Sequence, residues 1–271
     1  MQLKWAVYDL SVNPPAYDFL VFMQIALQEG ANAVWFIPGV QKGIQTQGGE
    51  EEEKRRLREV ALPICDLYGL PREFGEWQGL PAVWPQPNRA KVEVDGKLIK
   101  IRAHQVYWLK HVTKPYPVMP TQQALDRAND RFKGKKPIVV TLRQSRDRPL
   151  RDSGPDWRKW AEDHEAVVLE DSCVSGMSID DRVAHYELAS LNIGSNSGML
   201  HLCYLSHRPY LALRMVNNFY PHDASEAWWK KNGWSVGEQM PWATKNQKLV
   251  WNYVDDYETI EREYQQYQAR R

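Results

Sequence analysis

Short apolar runs alternate with helical-period segments along this chain, and that alternation constrains the fold more than any other feature. Leu3–Leu10 reads as a strand, with Trp5, Val7 and Leu10 among apolar neighbours. Asn13-Pro14-Pro15 breaks it. Tyr17–Gln28 then carries Phe19, Leu20, Phe22, Met23, Ala26 and Leu27 at helical spacing, Gly30 ends the helix, and Ala33–Ile37 is a second strand closed by Pro38-Gly39. Strand, helix and strand within forty residues predict a βαβ unit. The second half repeats the pattern. Strands are expected at 137–142, 166–169, 191–194, 209–213 and 249–251. Helices are expected at 122–131, 156–164, 180–190, 199–205 and 257–267. The expected fold class is α/β: two Rossmann-like domains facing across a cleft, with a β-hairpin insertion in the N-terminal half.

The remaining segments are less regular. Glu50–Glu53 followed by Lys54, Arg55, Arg56 and Arg58 predicts a solvated helix, acidic at its start and basic later, running towards Leu62 and interrupted at Pro63. Residues 69–87, rich in glycine, proline and tryptophan, are expected to form an ordered loop. Val92–Ile101 reads as a hairpin turning at Asp95-Gly96. The expected division is an N-terminal domain over 1–120, a connector over 121–135 and a C-terminal domain over 136–271.

Composition narrows the function classes. Thirty-five basic residues face 34 acidic ones. No net field therefore recruits nucleic acid or an anionic membrane. No apolar run approaches the roughly 18 residues of a membrane span, and Met-Gln-Leu-Lys-Trp does not read as a signal peptide. Three dispersed cysteines without a CxxC exclude a disulfide framework and a closed zinc site, so a cytoplasmic protein is expected. Twelve tryptophans against six phenylalanines are unusual. Core filling is the default for Trp228, Trp229, Trp234, Trp242 and Trp251, with an aromatic lip to a cleft as the alternative.

Ligands of open parallel sheets bind beyond the carboxyl ends of the strands, so strand-end loops hold the candidates. Leu191-Asn-Ile-Gly194-Ser195-Asn196-Ser197-Gly198 ends a strand, and a helix is expected to follow towards His201. Small residues there admit a ligand to the backbone, and free amides at a helix start suit phosphate. Thr141-Leu142-Arg143-Gln144 opens a loop that also holds Arg146, Arg148 and Arg151, whose guanidinium forks fit phosphate oxygens. Asp171, after another strand, can hold a sugar or ribose hydroxyl. Asp9, ending the first strand, can take a proton from a hydroxyl. No Walker loop, GxGxxG, HExxH or GxSxG is present.

Residues 184–213, Ala-His-Tyr-Glu-Leu-Ala-Ser-Leu-Asn-Ile-Gly-Ser-Asn-Ser-Gly-Met-Leu-His-Leu-Cys-Tyr-Leu-Ser-His-Arg-Pro-Tyr-Leu-Ala-Leu, resemble the C-terminal domain of GT-B-type glycosyltransferases. The pattern is similar to heptosyltransferase-like and nucleotide-sugar 2-epimerase-like domains. Thr141-Leu-Arg-Gln144, Arg151-Asp-Ser153 and Trp157 share the likeness. Asn196 departs from it, standing where that pattern often has an acid. The resemblance implies a metal-independent glycosyltransferase with no cofactor beyond its nucleotide-sugar substrate and a glycan or other hydroxyl acceptor. It places the donor at Gly194, Ser195, Asn196, Ser197, Gly198 and His201, with Arg143 and Arg151 on phosphate and Asp9 as base. A catalytically silent binding or assembly protein and a nucleotide-sugar epimerase are the alternatives.

Overall fold

The computed structural model describes residues 2–39, 49–77, 82–85, 91–94, 97–100, 102, 105–144, 149–170 and 176–271. The chain divides into two compact units, Met1–Tyr116 and Pro117–Arg271. It is an α/β protein with two parallel sheets.

In the first unit, β1 (Trp5–Asp9) pairs in parallel with β2 (Ala33–Ile37) through the crossover helix α1 (Phe19–Gln28). The expected βαβ unit is therefore present, with its first strand starting two residues later than Leu3, which is exposed. The packing explains why α1 forms where it does. Tyr8 meets Phe19 and Phe22 edge-on at 4.9 and 4.7 Å, so the aromatic face of the helix sits on the first strand. The region 69–87 corrects the loop expectation. It contributes β3 (Arg72–Phe74), paired with β2, and β4 (Ala82–Trp84), paired with β1. Three-residue edge strands are too short to show a period, and their hydrogen bonds come from strands far away in sequence. The sheet order is β3-β2-β1-β4. Strands β5 (Lys91–Val94) and β6 (Lys97–Lys100) pair antiparallel as the hairpin reading expects. Its turn, Asp95-Gly96, lies outside the described residues.

The charged helix also runs further than expected. Helix α2 (Gly49–Arg56) continues through a π-helical turn, Leu57–Ala61, into α3 (Leu62–Leu67). Leu62 N–H donates to the Leu57 carbonyl, five residues back. Pro63 offers no N–H, and its ring crowds the carbonyl four residues earlier. The wide π-turn just ahead relieves that conflict, so the helix passes the proline instead of stopping. Within α2, hydrogen bonds from Arg55, then Arg56, hold the Glu52 carboxyl down from 4.5 to about 2, against burial that raises it. A depressed carboxylate stabilises above its ordinary pKa and loses that contribution as pH falls towards the folded value. Glu52→Gln is thus expected to lower the melting temperature at pH 7 by an amount worth about 1 kcal/mol or less. The difference should vanish between pH 4.5 and 2, which thermal melts across that range would check.

In the second unit, β7 (Ile138–Thr141), β8 (Val167–Leu169), β9 (Leu191–Ser195), β10 (Tyr210–Leu213) and β11 (Gln247–Leu249) form one parallel sheet, ordered β11-β10-β9-β7-β8. Alternate residues face opposite sides. Val140, Ile193, Leu211 and Leu213 pack with Trp157 and Trp160 of α5 (Pro155–Asp163) and Ile260 and Tyr267 of α9 (Tyr257–Gln268). On the other face, Thr141 Oγ1 lies 2.9 Å from Tyr186 OH of α6 (Ile179–Leu188). The expected connector 121–135 is corrected here. Its residues form α4 (Gln122–Phe132), capped by Thr121 and packed on α6, so they belong to the second unit. The expected helix 199–205 is also corrected. Gly198–Leu200 is a 3-10 turn and only His201–Tyr204, here α7, is α-helical. Of the five tryptophans expected to fill the core, two do so and Trp228, Trp242 and Trp251 are half-buried. Trp229 and Trp234 are buried, and the indole N–H groups of Trp229, Trp242 and Trp251 donate to the Met215, Tyr204 and Glu238 carbonyls. Trp229 lies in α8 (Glu226–Lys231).

Candidate functional site

Read in chain order, the second sheet runs 2-1-3-4-5, and its order reverses between β7 and β9. That reversal is a topological switch point, where open α/β sheets leave a crevice beyond their carboxyl ends. The two loops singled out by sequence, after Thr141 and after Gly194, leave the sheet at this place.

Gly194 is needed for strand packing. A Cβ there would stand 2.5 Å from the Thr141 carbonyl oxygen on the neighbouring strand. The glycine thus brings β7 and β9 together. Ser195 is buried, and its Oγ donates to Asp255 Oδ2. Asn196 N–H donates to the Leu213 carbonyl at 2.8 Å, fixing the exit from β9. Ser197 is extended and only 4% exposed, and its Oγ has no hydrogen-bond partner among the described residues. A buried hydroxyl without a partner is uncommon and marks a place where a ligand or water can bind. Gly198 opens the 3-10 turn. Since α7 has only four residues, its dipole offers little to an anion, and the helix-dipole argument for this loop falls away. His201 stands edge-on to Tyr204 at 5.6 Å.

The arginines are built into this edge. Arg151 is buried; it pairs with Asp223 and donates from Nη2 to the Asn196 carbonyl at 3.2 Å. It therefore holds the loop that carries Ser197. Arg143 N–H donates to Ser153 Oγ at 2.9 Å, Ser153 N–H donates back to the Arg143 carbonyl at 3.0 Å, and Arg143 Nε lies 4.0 Å from Asp152. Ser153 is used in that exchange and does not cap α5, whose N-cap is Gly154. Arg214, which sequence reasoning missed, follows β10 with φ 56°. Its guanidinium donates to the Leu150 carbonyl at 2.6 Å and to Asp255 at 3.2 Å. Its Nε has no partner among the described residues.

Asp255, also missed, joins these loops. One carboxylate oxygen accepts from Ser195 Oγ and, at 2.7 Å, from Trp157 Nε1; the other accepts from Arg214. Strand-end logic would have found Arg214, which directly follows Leu213. Asp255 lies six residues past the end of β11 at Leu249, beyond the residues that strand-end logic selects. Each of these three arginines is matched by an aspartate, so among the described residues this edge offers directed donors rather than a net positive field.

Tyrosine hydroxyls lie beneath the loop. Burial pushes the Tyr186 phenol up to about 12 and raises Tyr204 well above its ordinary value, while the Arg151 charge acts in the opposite sense on Tyr204. Both remain protonated at neutral pH. Tyr204 OH has no partner among the described residues. Burial likewise lifts the Cys203 thiol to about 12, which makes it an inert core residue.

In the first unit, Asp9 ends β1, at that sheet's own reversal between β1 and β4. Its Oδ1 accepts from Ser11 N–H at 2.8 Å and Ser11 Oγ at 2.6 Å, an Asx-type turn. Among the described residues no donor reaches Oδ2. Asp171, Arg146 and Arg148 lie outside the described residues. Among the described residues, no cluster of His, Cys, Asp and Glu could hold a metal ion, and no helix is long and apolar enough to cross a membrane.

No family model matches the chain, and no curated protein does. The solved structures that align along nearly its whole length include the following two. One is a glycosyl transferase family 9 protein from Veillonella parvula DSM 2008, at 9% identity and a TM-score of 0.48, covering 100% of this chain and 99% of that one. The other is E. coli ADP-heptose LPS heptosyltransferase II, at 11% identity and a TM-score of 0.46, covering 98% of each chain. At these values the chain's activity has to be read from its own residues.

Proposed function

We propose that this protein is a glycosyltransferase whose second unit binds the diphosphate of a nucleotide-sugar donor at the β7/β9 switch point. The observation that carries the reading is the enclosed, unpartnered Ser197 Oγ, in a loop that Arg151 fixes through the Asn196 carbonyl. In this reading Ser197 donates to a phosphate oxygen. The guanidinium groups of Arg143, Arg151 and Arg214 stabilise the charge that develops on the leaving diphosphate. Asp9, through the oxygen left open by Ser11, takes the proton of an acceptor hydroxyl. The hydroxyl oxygen then attacks the anomeric carbon as its bond to the diphosphate breaks. The motif in residues 184–213 supports the same assignment, and this chemistry uses no metal.

Ser197→Ala separates a ligand role from a packing role. An unpartnered hydroxyl contributes nothing to the empty fold, so the melting temperature should hold or rise slightly. Affinity for the one nucleotide that binds, from a calorimetric series of UDP, GDP, ADP and CMP, should fall about tenfold, the equivalent of ~1.4 kcal/mol. Unchanged affinity in Ser197→Ala would remove the site. Turnover with the matching sugar donor should disappear in Asp9→Asn; a nucleotide that binds without any transfer would favour the silent binding protein instead.

A further inference from the structure

The loop after β10 presents an aromatic ring beside the switch point. Phe219 is 49% exposed. A single exposed phenylalanine is ordinary; here the loop is built around it. Asn217, which is buried, is the scaffold. Its N–H donates to the Ala224 carbonyl at 3.0 Å, and its side-chain amide donates to the Asp223 carbonyl. Its Oδ1 accepts from the N–H groups of Phe219 at 3.0 Å and Tyr220 at 2.9 Å. A buried asparagine that closes a loop in this way fixes the backbone at Phe219.

The two faces of the ring differ. The Arg214 guanidinium carbon lies over the ring, 5.7 Å from its centroid. Arg214 is itself held, its N–H donating to Asn252 Oδ1 at 2.6 Å and its guanidinium to Asp255 at 3.2 Å. One face of Phe219 is therefore backed by a fixed cation, and the opposite face is left for a ligand. The same loop ends on the nucleotide site, because Asp223 pairs with Arg151, whose Nη2 holds the Asn196 carbonyl at 3.2 Å.

The chemistry of a nucleotide sugar decides which part of it reaches this ring. The sugar is bonded directly to the diphosphate, whereas the base stands a whole ribose beyond it. A ring packed on a diphosphate-binding guanidinium is in reach of the first and short of the second. A sugar ring also presents C–H groups on its faces, which an aromatic face can cover while the hydroxyls at the rim stay in water.

We propose that Phe219 is a specificity-determining residue whose open face stacks on the sugar ring of the donor. This rests on the nucleotide-sugar reading and assigns the part of the ligand that the arginines and Ser197 do not touch.

The test is calorimetry of the full chain with matched pairs of ligands: UDP and UDP-glucose, GDP and GDP-mannose, ADP and ADP-glucose. In the pair that binds, Phe219→Ala should weaken the sugar conjugate about fivefold or more and change the affinity for the bare diphosphate less than about twofold. Phe219→Tyr, which keeps the ring, should retain both affinities. The position is exposed, so both variants should fold, which thermal melts check. Equal weakening of both members of the pair would put the base on Phe219, and no weakening of either would leave the ring without a ligand; each result overturns the proposal while the nucleotide site stands. A parent chain that binds none of these ligands overturns the nucleotide reading and this proposal with it.

Discussion

Gly194→Ala is expected to destabilise the second unit by about 3 kcal/mol, the upper part of the range for overpacking. The added Cβ would meet the Thr141 carbonyl oxygen at 2.5 Å and Thr141 Cβ at 3.3 Å. The obstacle is backbone, so no rotamer change relieves it. Strands β7 and β9, which pair Thr141 with Gly194, must move apart. On the other side Gly194 pairs with Ala212, so the strain spreads into β10. For a unit of this size the loss corresponds to a fall of roughly 6–12 °C in melting temperature. Circular dichroism melts would measure it, and a shift within 1 °C would show that the strands separate at no cost.

Asp255→Ala is expected to cost about 3–5 kcal/mol, as removal of one partner of a buried ion pair does. Its carboxylate is the common acceptor for Ser195, Trp157 and Arg214. Without it the Arg214 guanidinium, whose side chain is 11% exposed, has no acid partner, the buried Trp157 indole N–H is orphaned, and Ser195 Oγ keeps only Ser153 Oγ at 3.5 Å. Asp255→Asn keeps an acceptor for one or two of the three donors but removes the charge, so it should lose less than alanine does. Denaturant unfolding of both variants would measure the order. Equal stability of the two variants and the parent would mean that Asp255 does not join these loops. If the proposed nucleotide site is right, both variants should also weaken nucleotide binding, because the loops after β7, β9 and β10 lose their shared contact.

The sequence revealed what local periodicity controls. Helix α1 and the strand Ala33–Ile37 were legible because aromatic and β-branched residues recur at their own spacing over five to ten residues. The loops after Thr141 and Gly194 could be chosen because strand ends mark them. What stayed hidden depends on distant partners. Asp255 finds Ser195 60 residues away, Trp157 98 away and Arg214 41 away, separations that carry no local pattern. The strand Arg72–Phe74 is short, and the sheet edge that recruits it lies elsewhere in the chain. Pro63 looked like a stop because the rule for proline assumes an ordinary α-turn before it; a π-turn changes that premise. The bareness of Gly194 serves a neighbouring strand, a contact that its own segment does not announce. Arg151 and Arg143 lie at the chosen edge, yet each meets an aspartate, which charge counting along the chain does not show.

The position of Asp255 in the chain also bears on biosynthesis. A nascent domain folds as a unit while it emerges at about 5–20 residues per second. Strands β7 to β10 and the loops they carry are made before Asp255, which follows β11. Until that segment is translated, the Ser195 hydroxyl, the Trp157 indole and the Arg214 guanidinium have no common acceptor. A ribosome stalled between Leu213 and Gln247 would thus hold a nascent chain with four strands of this sheet already made and its switch-point loops not yet tied together.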